Sequence, residues 1–200
     1  MVTLENNLVL KVLADATNVI AEGEVMQLLS CHDPEVTEKQ YLNTIQHKTA
    51  KLFEAASGLG AIIAGNNKET ISFLNAYGRH IGTAFQLIDD ALDYESSSEA
   101  LGKNIGDDLA EGKPTLPLLY AMWNGTKSQS SIIRETIISG GLQHLPEIKD
   151  AIKSTGAIQY TLQLAQSEAS RALAALDTLP TSEFKAALEG LVYFAIDRES

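Results

Sequence analysis

Cysteine is almost missing from this sequence: Cys31 is the one thiol in 200 residues. No disulfide framework can therefore form within the chain, which fits a reducing compartment and makes the cytoplasm the expected location. Proline is scarce, at five residues, and alternating apolar and polar positions of the strand type are lacking, so the chain reads as all-α. Basic residues are outnumbered 26 to 15, for a formal charge of −11, which argues against nucleic acid or an anionic membrane surface as partner. There is no run of about eighteen or more apolar residues and no basic-then-apolar leader, so neither a membrane span nor a secretory signal is expected. The length suits one domain with a substantial core, over residues 1–200, with no repeat or linker to divide it.

What the chain does contain is a succession of helical stretches. Over 4–29, Leu10, Leu13, Thr17, Ile20, Met26 and Leu29 recur near helical spacing, interrupted only at Glu22-Gly23-Glu24. Gly23 inside a helix costs about 1 kcal/mol against Ala, so it suggests the close approach of another group. Cys31-His32-Asp33-Pro34 reads as a turn. Thr37-x-x-Gln40 reads as a capping box opening a second helix that ends before Gly65-Asn66-Asn67, with Lys48 beside its apolar stripe. A third helix is expected over 69–94. A loop follows to Thr115, which is placed to cap a helix with Pro117 in its first turn. Further helices are expected over 117–123, 130–139, 146–154, 157–176 and 182–196.

The stretch with chemistry in it is Phe85-Gln86-Leu87-Ile88-Asp89-Asp90-Ala91-Leu92-Asp93-Tyr94. On a helix, Asp89 and Asp93 share a face one turn apart, Gln86 lies one turn earlier, and Asp90 stands at their shoulder. Like charges at that spacing repel, and Asp is a mediocre helix former, so the segment gives up helix stability to hold them. A solvated acidic face is the ordinary explanation, but the apolar neighbours leave no wide polar face. Mg²⁺ is commonly held by one or two carboxylates, several waters and a substrate phosphate, and this set supplies such carboxylates.

Lys48 on an amphipathic helix reads most simply as a snorkelling surface residue. Lys103 and Lys113 sit among glycines in the loop after the acidic helix, where a lid could bring positive charge onto a metal-bound phosphate. His32, His47, His80 and His144 show no ligand spacing and are expected to be structural or exposed.

Three long motifs, Gln86-Leu87-Ile88-Asp89-Asp90-x-x-Asp93-Tyr94, Gly102-Lys103-Asn104-x-Gly106-Asp107-Asp108-Leu109 and Glu111-Gly112-Lys113-Pro114-Thr115-Leu116-Pro117, resemble the second aspartate-rich region of trans-polyprenyl diphosphate synthases. The likeness extends upstream to Ile20-Ala21-Glu22-Gly23-Glu24-x-x-Gln27 and to Lys48-Thr49-Ala50-x-Leu52-Phe53-Glu54-Ala55. It is strongest to the bacterial members that make octaprenyl chains for quinones. The resemblance implies a helical bundle of the isoprenoid synthase type around a deep cavity, where Mg²⁺ bridges two aspartate-rich motifs and an allylic diphosphate such as farnesyl diphosphate. The allylic diphosphate ionises, isopentenyl diphosphate attacks the cation, and a proton is lost. By motif position, Asp89, Asp90 and Asp93 look like metal ligands, and Lys48, Lys103 and Lys113 like ligands of the allylic diphosphate. Thr49 and Gln86 look like groups facing the reacting carbons, and Glu24 and Gln27 like lining of the same cavity.

The family's first aspartate-rich motif, and its isopentenyl diphosphate site, have no counterpart in these 200 residues. The expectation is therefore a bundle incomplete at its N-terminal side, inactive alone, with apolar surface covered by self-association as a homodimer. The alternative is a non-catalytic or regulatory subunit of a heteromeric synthase, although a pure scaffold would have no need of Asp89, Asp90, Asp93, Lys48 and Lys103.

Overall fold

The computed structural model describes residues 6–95 and 106–197, and among these every regular element is helical. The order is α1 (Asn7–Ser30), α2 (Glu38–Ile45), a π-turn (Gln46–Ala50), α3 (Lys51–Ile63), α4 (Lys68–Glu95), α5 (Asp107–Ala110), α6 (Leu116–Asn124), α7 (Lys127–Ser139), α8 (Leu145–Thr155), α9 (Ala157–Leu176) and α10 (Glu183–Ile196).

Local chemistry sets most of these boundaries. The Thr37–Gln40 capping box opens α2, with Gln40 N donating to Thr37 Oγ1 at 3.3 Å and Thr37 N to Gln40 Oε1 at 2.9 Å. Thr126 and Gln129 form a second box that starts α7 three residues before the expected 130. Ser182 caps α10, and Gly156, at φ 71°, closes α8 in the left-handed region that glycine adopts without strain.

The first helix runs through Gly23, as its helix-interior reading requires, and two expectations are corrected. The expected single helix after Thr37 is divided by the π-turn, and Lys48 and Thr49 lie inside that turn. Thr115 occupies the N-cap position of α6 but makes no side-chain cap bond; its hydroxyl meets the Tyr94 hydroxyl at 3.2 Å instead.

Two compact units divide the chain, with α1, α2, α4 and α9 each contributing to both. Among the described residues the first comprises 6–24, Thr44–Gln86 and Gln166–Asp197. Its core joins Tyr77 and Ile81 of α4, Ala169, Ala172 and Leu176 of α9, and Val192 and Ala195 of α10. Three glycines bring backbones into contact here. A Cβ on Gly23 would overlap the Lys48 backbone nitrogen, one on Gly78 would overlap the Phe53 carbonyl, and one on Gly82 would lie 2.7 Å from Ala50 Cα. Gly23 thus does mark the close approach that its helix position suggests.

The second unit comprises Val25–Asn43 and, among the described residues, 87–95 and 106–165. There α6 packs on α7 and α8, and Leu109, Leu116, Leu118, Leu119, Ile133 and Ile148 are fully buried. His32, at φ 63°, donates its backbone N–H to the Gly112 carbonyl at 2.9 Å, and its Nδ1 lies 3.2 Å from the Ile137 carbonyl. Val25, Leu28 and Leu29 of α1 remain exposed in this unit, as do Phe184, Leu191 and Phe194 of α10 in the other.

Candidate functional site

In the first unit the π-turn is the organising feature. A π-turn inserts a residue into a helix and tends to occur at functional positions; this one is pinned at Lys48 by Gly23 of α1 and at Ala50 by Gly82 of α4. The Lys48 ammonium pairs with Glu24 at 3.1 Å. Thr49 Oγ1 donates to Gln86 Oε1 at 2.8 Å, bringing together two residues that sequence motif alone sets 37 positions apart. Beside them the Phe53 and Phe85 rings meet at 5.5 Å in a tilted arrangement. Lys48, Glu24, Thr49 and Gln86 therefore form one contiguous polar wall over an aromatic pair.

In the second unit the acidic run lies on the last turns of α4. Asp89 and Asp93 are half-buried, whereas Asp90 is 3% exposed and its Oδ2 accepts from the Tyr41 hydroxyl at 2.6 Å. Burial first, and then the Asp90 charge, push the Tyr41 hydroxyl well above its ordinary pKa. Tyr94 is raised chiefly by burial as well, against an opposing pull from its Thr115 hydrogen bond. The Asp93 carbonyl accepts from Gly106 N at 3.2 Å, tying the acidic helix to the start of α5.

Lys113 is held between two carboxylates, Asp108 Oδ1 at 2.9 Å and Glu111 Oε2 at 2.8 Å. Burial pulls its pKa down, but the bonds to Glu111 and Asp108 more than reverse this and hold the ammonium well above its usual value. A further anion reaching Lys113 has to displace these carboxylates or share the ammonium with them. Lys103 lies outside the described residues. Gln27 is half-buried on α1 in this unit.

Hard oxygen donors are what Mg²⁺ takes, and the Asp89–Asp93 pair fits that chemistry. Among the described residues no three His, Cys, Asp or Glu side chains gather into a ready metal cage. An ion at this pair would complete its shell with waters and ligand oxygens, the usual arrangement for Mg²⁺.

Sequence motifs locate Asp89, Asp93, Thr49 and Gln86 but miss Tyr41, whose partner lies 49 residues away with no pattern to announce it. They also miss Asp108 and Glu111 as partners of Lys113. The presence of two acids within five residues of that lysine is a local signal that could have found them. Among the histidines, His80 is structural, its Nδ1 lying 2.6 Å from Glu168 Oε2, with Arg171 on the other carboxylate oxygen at 2.6 Å.

The polyprenyl synthetase family model matches residues 1–155. The chain is 50% identical over all 200 of its residues to the octaprenyl diphosphate synthase of Escherichia coli and covers 62% of that protein. It is 46% identical over 198 residues to the geranyl-diphosphate-specific all-trans-nonaprenyl-diphosphate synthase of Rhodobacter capsulatus, covering 99% of this chain and 61% of the other. The crystal structure of a polyprenyl synthase from Caulobacter crescentus, complexed with calcium and isoprenyl diphosphate, superposes at a TM-score of 0.94 with 42% identity, over 100% of this chain and 62% of that one. The chain thus spans somewhat over three fifths of the length of these relatives. With the all-helical fold, the aspartate-bearing helix and these matches agreeing, the chain belongs to the polyprenyl synthetase family.

Proposed function

We propose that this chain is part of a prenyltransferase that condenses isopentenyl diphosphate with an allylic diphosphate to make a long-chain polyprenyl diphosphate, octaprenyl by overall similarity, for quinone side chains. The observation that carries the reading is the acidic run on α4 in a chain 50% identical to an octaprenyl diphosphate synthase. Asp89 and Asp93 would hold Mg²⁺, with Asp90, the third carboxylate of the set, bonded to Tyr41. Lys48 and Lys103 bind the allylic diphosphate, joined by Lys113 when it shares its carboxylate partners. The metal, when bound, neutralises charge developing on the departing diphosphate. Thr49 and Gln86, locked together by their hydrogen bond, face the reacting allylic carbons, while Glu24 orients Lys48 and Gln27 lines the cavity. A dry apolar surround protects the allylic cation from water until isopentenyl diphosphate attacks and a proton leaves. The protein works in the cytoplasm as a homodimer, which covers apolar surface such as Leu28 and Leu29.

These 200 residues hold one aspartate-rich set, and the reaction needs the diphosphate held from two sides. Incorporation of labelled isopentenyl diphosphate into farnesyl diphosphate with Mg²⁺ tests the reading. No turnover is expected from the 200 residues alone. Turnover is expected once a segment bearing a first aspartate-rich motif is supplied, and it is lost again with Asp89→Ala or Lys48→Ala. Persistent inactivity of the completed protein would overturn the proposed activity, and clear turnover by the isolated chain would overturn the need for a second motif.

A further inference from the structure

One carboxylate in the acidic run differs from its neighbours. Asp90 is buried to 3% exposure, yet it carries an oxygen that accepts from Tyr41 at 2.6 Å, and Tyr41 is itself 5% exposed. A hydroxyl bonded to a carboxylate at this length is charge-assisted and among the stronger hydrogen bonds a protein makes. The donor is firmly placed: Tyr41 lies one turn into α2, its backbone N–H bonds the Thr37 carbonyl at 3.0 Å, and Thr37 belongs to the box that opens the helix. Held this way, the Asp90 carboxylate ties the last turns of α4 to α2 within one compact unit.

We propose that Tyr41 is a positioning residue: by gripping Asp90 from α2 it fixes the rotation of the acidic turn of α4, so that Asp89 and Asp93 present their carboxylates together to a divalent cation carrying a diphosphate. The inference rests on the metal-site reading given above. Groups that orient metal ligands are worth about 10–100-fold in metal affinity when removed. Tyr94 provides an internal control, since it is also a buried tyrosine at this end of α4 but bonds the Thr115 hydroxyl and not a carboxylate.

The experiment is titration of free Mn²⁺ by electron paramagnetic resonance, with inorganic pyrophosphate present, on the folded 200-residue chain well below its melting temperature. Asp89→Asn is expected to remove binding. Tyr41→Phe is expected to weaken it about tenfold or more, and Tyr94→Phe to leave it within about twofold, although each loses one buried hydroxyl. Asp90→Asn, which still accepts from Tyr41, is expected to bind more tightly than Asp89→Asn. Unchanged affinity in Tyr41→Phe, with binding lost in Asp89→Asn, overturns the inference alone. An equal loss in Tyr41→Phe and Tyr94→Phe overturns it too, by making the effect one of packing. A loss in Asp90→Asn as complete as in Asp89→Asn overturns it by making Asp90 a ligand, and this variant decides the matter should Tyr41→Phe fail to fold. Absence of wild-type binding, or binding indifferent to Asp89→Asn, overturns the metal site itself.

Discussion

The polar wall of the first unit and the acidic turn of the second are built by opposite means. Lys48 and Thr49 are placed by backbone against backbone, through Gly23 and Gly82, and their own side chains then make short polar contacts. Asp90 is placed by a side chain, through the Tyr41 hydroxyl, and Tyr94 is tied by another, through Thr115. A position set by backbone contact is indifferent to its own side chain and intolerant of any atom added to the glycine opposite. A position set by a hydroxyl is sensitive to the loss of one atom and indifferent to bulk elsewhere. Mutations of the packing glycines in the first region should therefore act on folding, and mutations in the second on ligand binding.

The largest effect falls on the acidic turn. In the turnover-competent protein Asp89→Ala should lower activity by about three orders of magnitude, since a metal's share of charge stabilisation is several kcal/mol, with the melting temperature hardly moved. Steady-state prenyl transfer and thermal unfolding, run on the same preparation, check this; a melting temperature that falls in step with activity would erase the contrast between the regions.

Next is Gly78→Ala, whose new Cβ meets the Phe53 carbonyl. Overpacking against fixed backbone costs about 1–3 kcal/mol, and each kcal/mol lowers the melting temperature by about 2–4 °C in a chain of this size. Mn²⁺–pyrophosphate affinity, measured on the fraction that remains folded, should be unchanged.

Thr49→Val is smaller. It keeps the volume and removes the hydrogen bond to Gln86, for about 1 kcal/mol of stability. If the pair faces the carbons and not the phosphates, as proposed, its sharper signature is a fall in kcat with little change in KM for the allylic diphosphate.

The smallest effect concerns pH. Burial raises the Glu168 carboxyl, and the His80 hydrogen bond followed by Arg171 more than reverses this, so its folded pKa lies below the ordinary value. A depressed carboxylate adds stability that is present above its unfolded pKa and lost as pH falls through its folded pKa. Wild type should thus exceed Glu168→Gln in stability at neutral pH, and the two acid-unfolding curves should converge below the ordinary carboxylate range. Parallel curves would show that the cluster adds nothing that depends on charge.

Legibility from sequence divides along the same line as the two regions. The Thr37–Gln40 box and the close approach at Gly23 were readable because capping chemistry and helix-interior glycine are local signals. The Thr126–Gln129 box obeys the same rule and was equally readable, although the apolar pattern alone placed that helix start later. The π-turn was not readable, because periodicity through Leu42, Ile45, Leu52 and Phe53 averages over one inserted residue. The Tyr41–Asp90 bond was not readable either, since a single aspartate in an acidic triplet gives no sign that it faces inward. Motif resemblance identified the carboxylates as a set; burial separates Asp90 from the other two.

The π-turn has a consequence for how this chain tolerates length changes. Thr44 and Ile45 before it, and Ala55 and Ala61 after it, are all buried in the same unit. Removing one residue between 46 and 50 would restore a regular helix with a full set of backbone hydrogen bonds, so local structure would raise no objection. Everything beyond the deletion would nevertheless turn by about 100° about the helix axis, the angle one residue subtends. Either the two residues before the turn or the two after it would then face water. The extra residue acts as a phase correction, and a deletion that improves the helix would put it out of register with its own core.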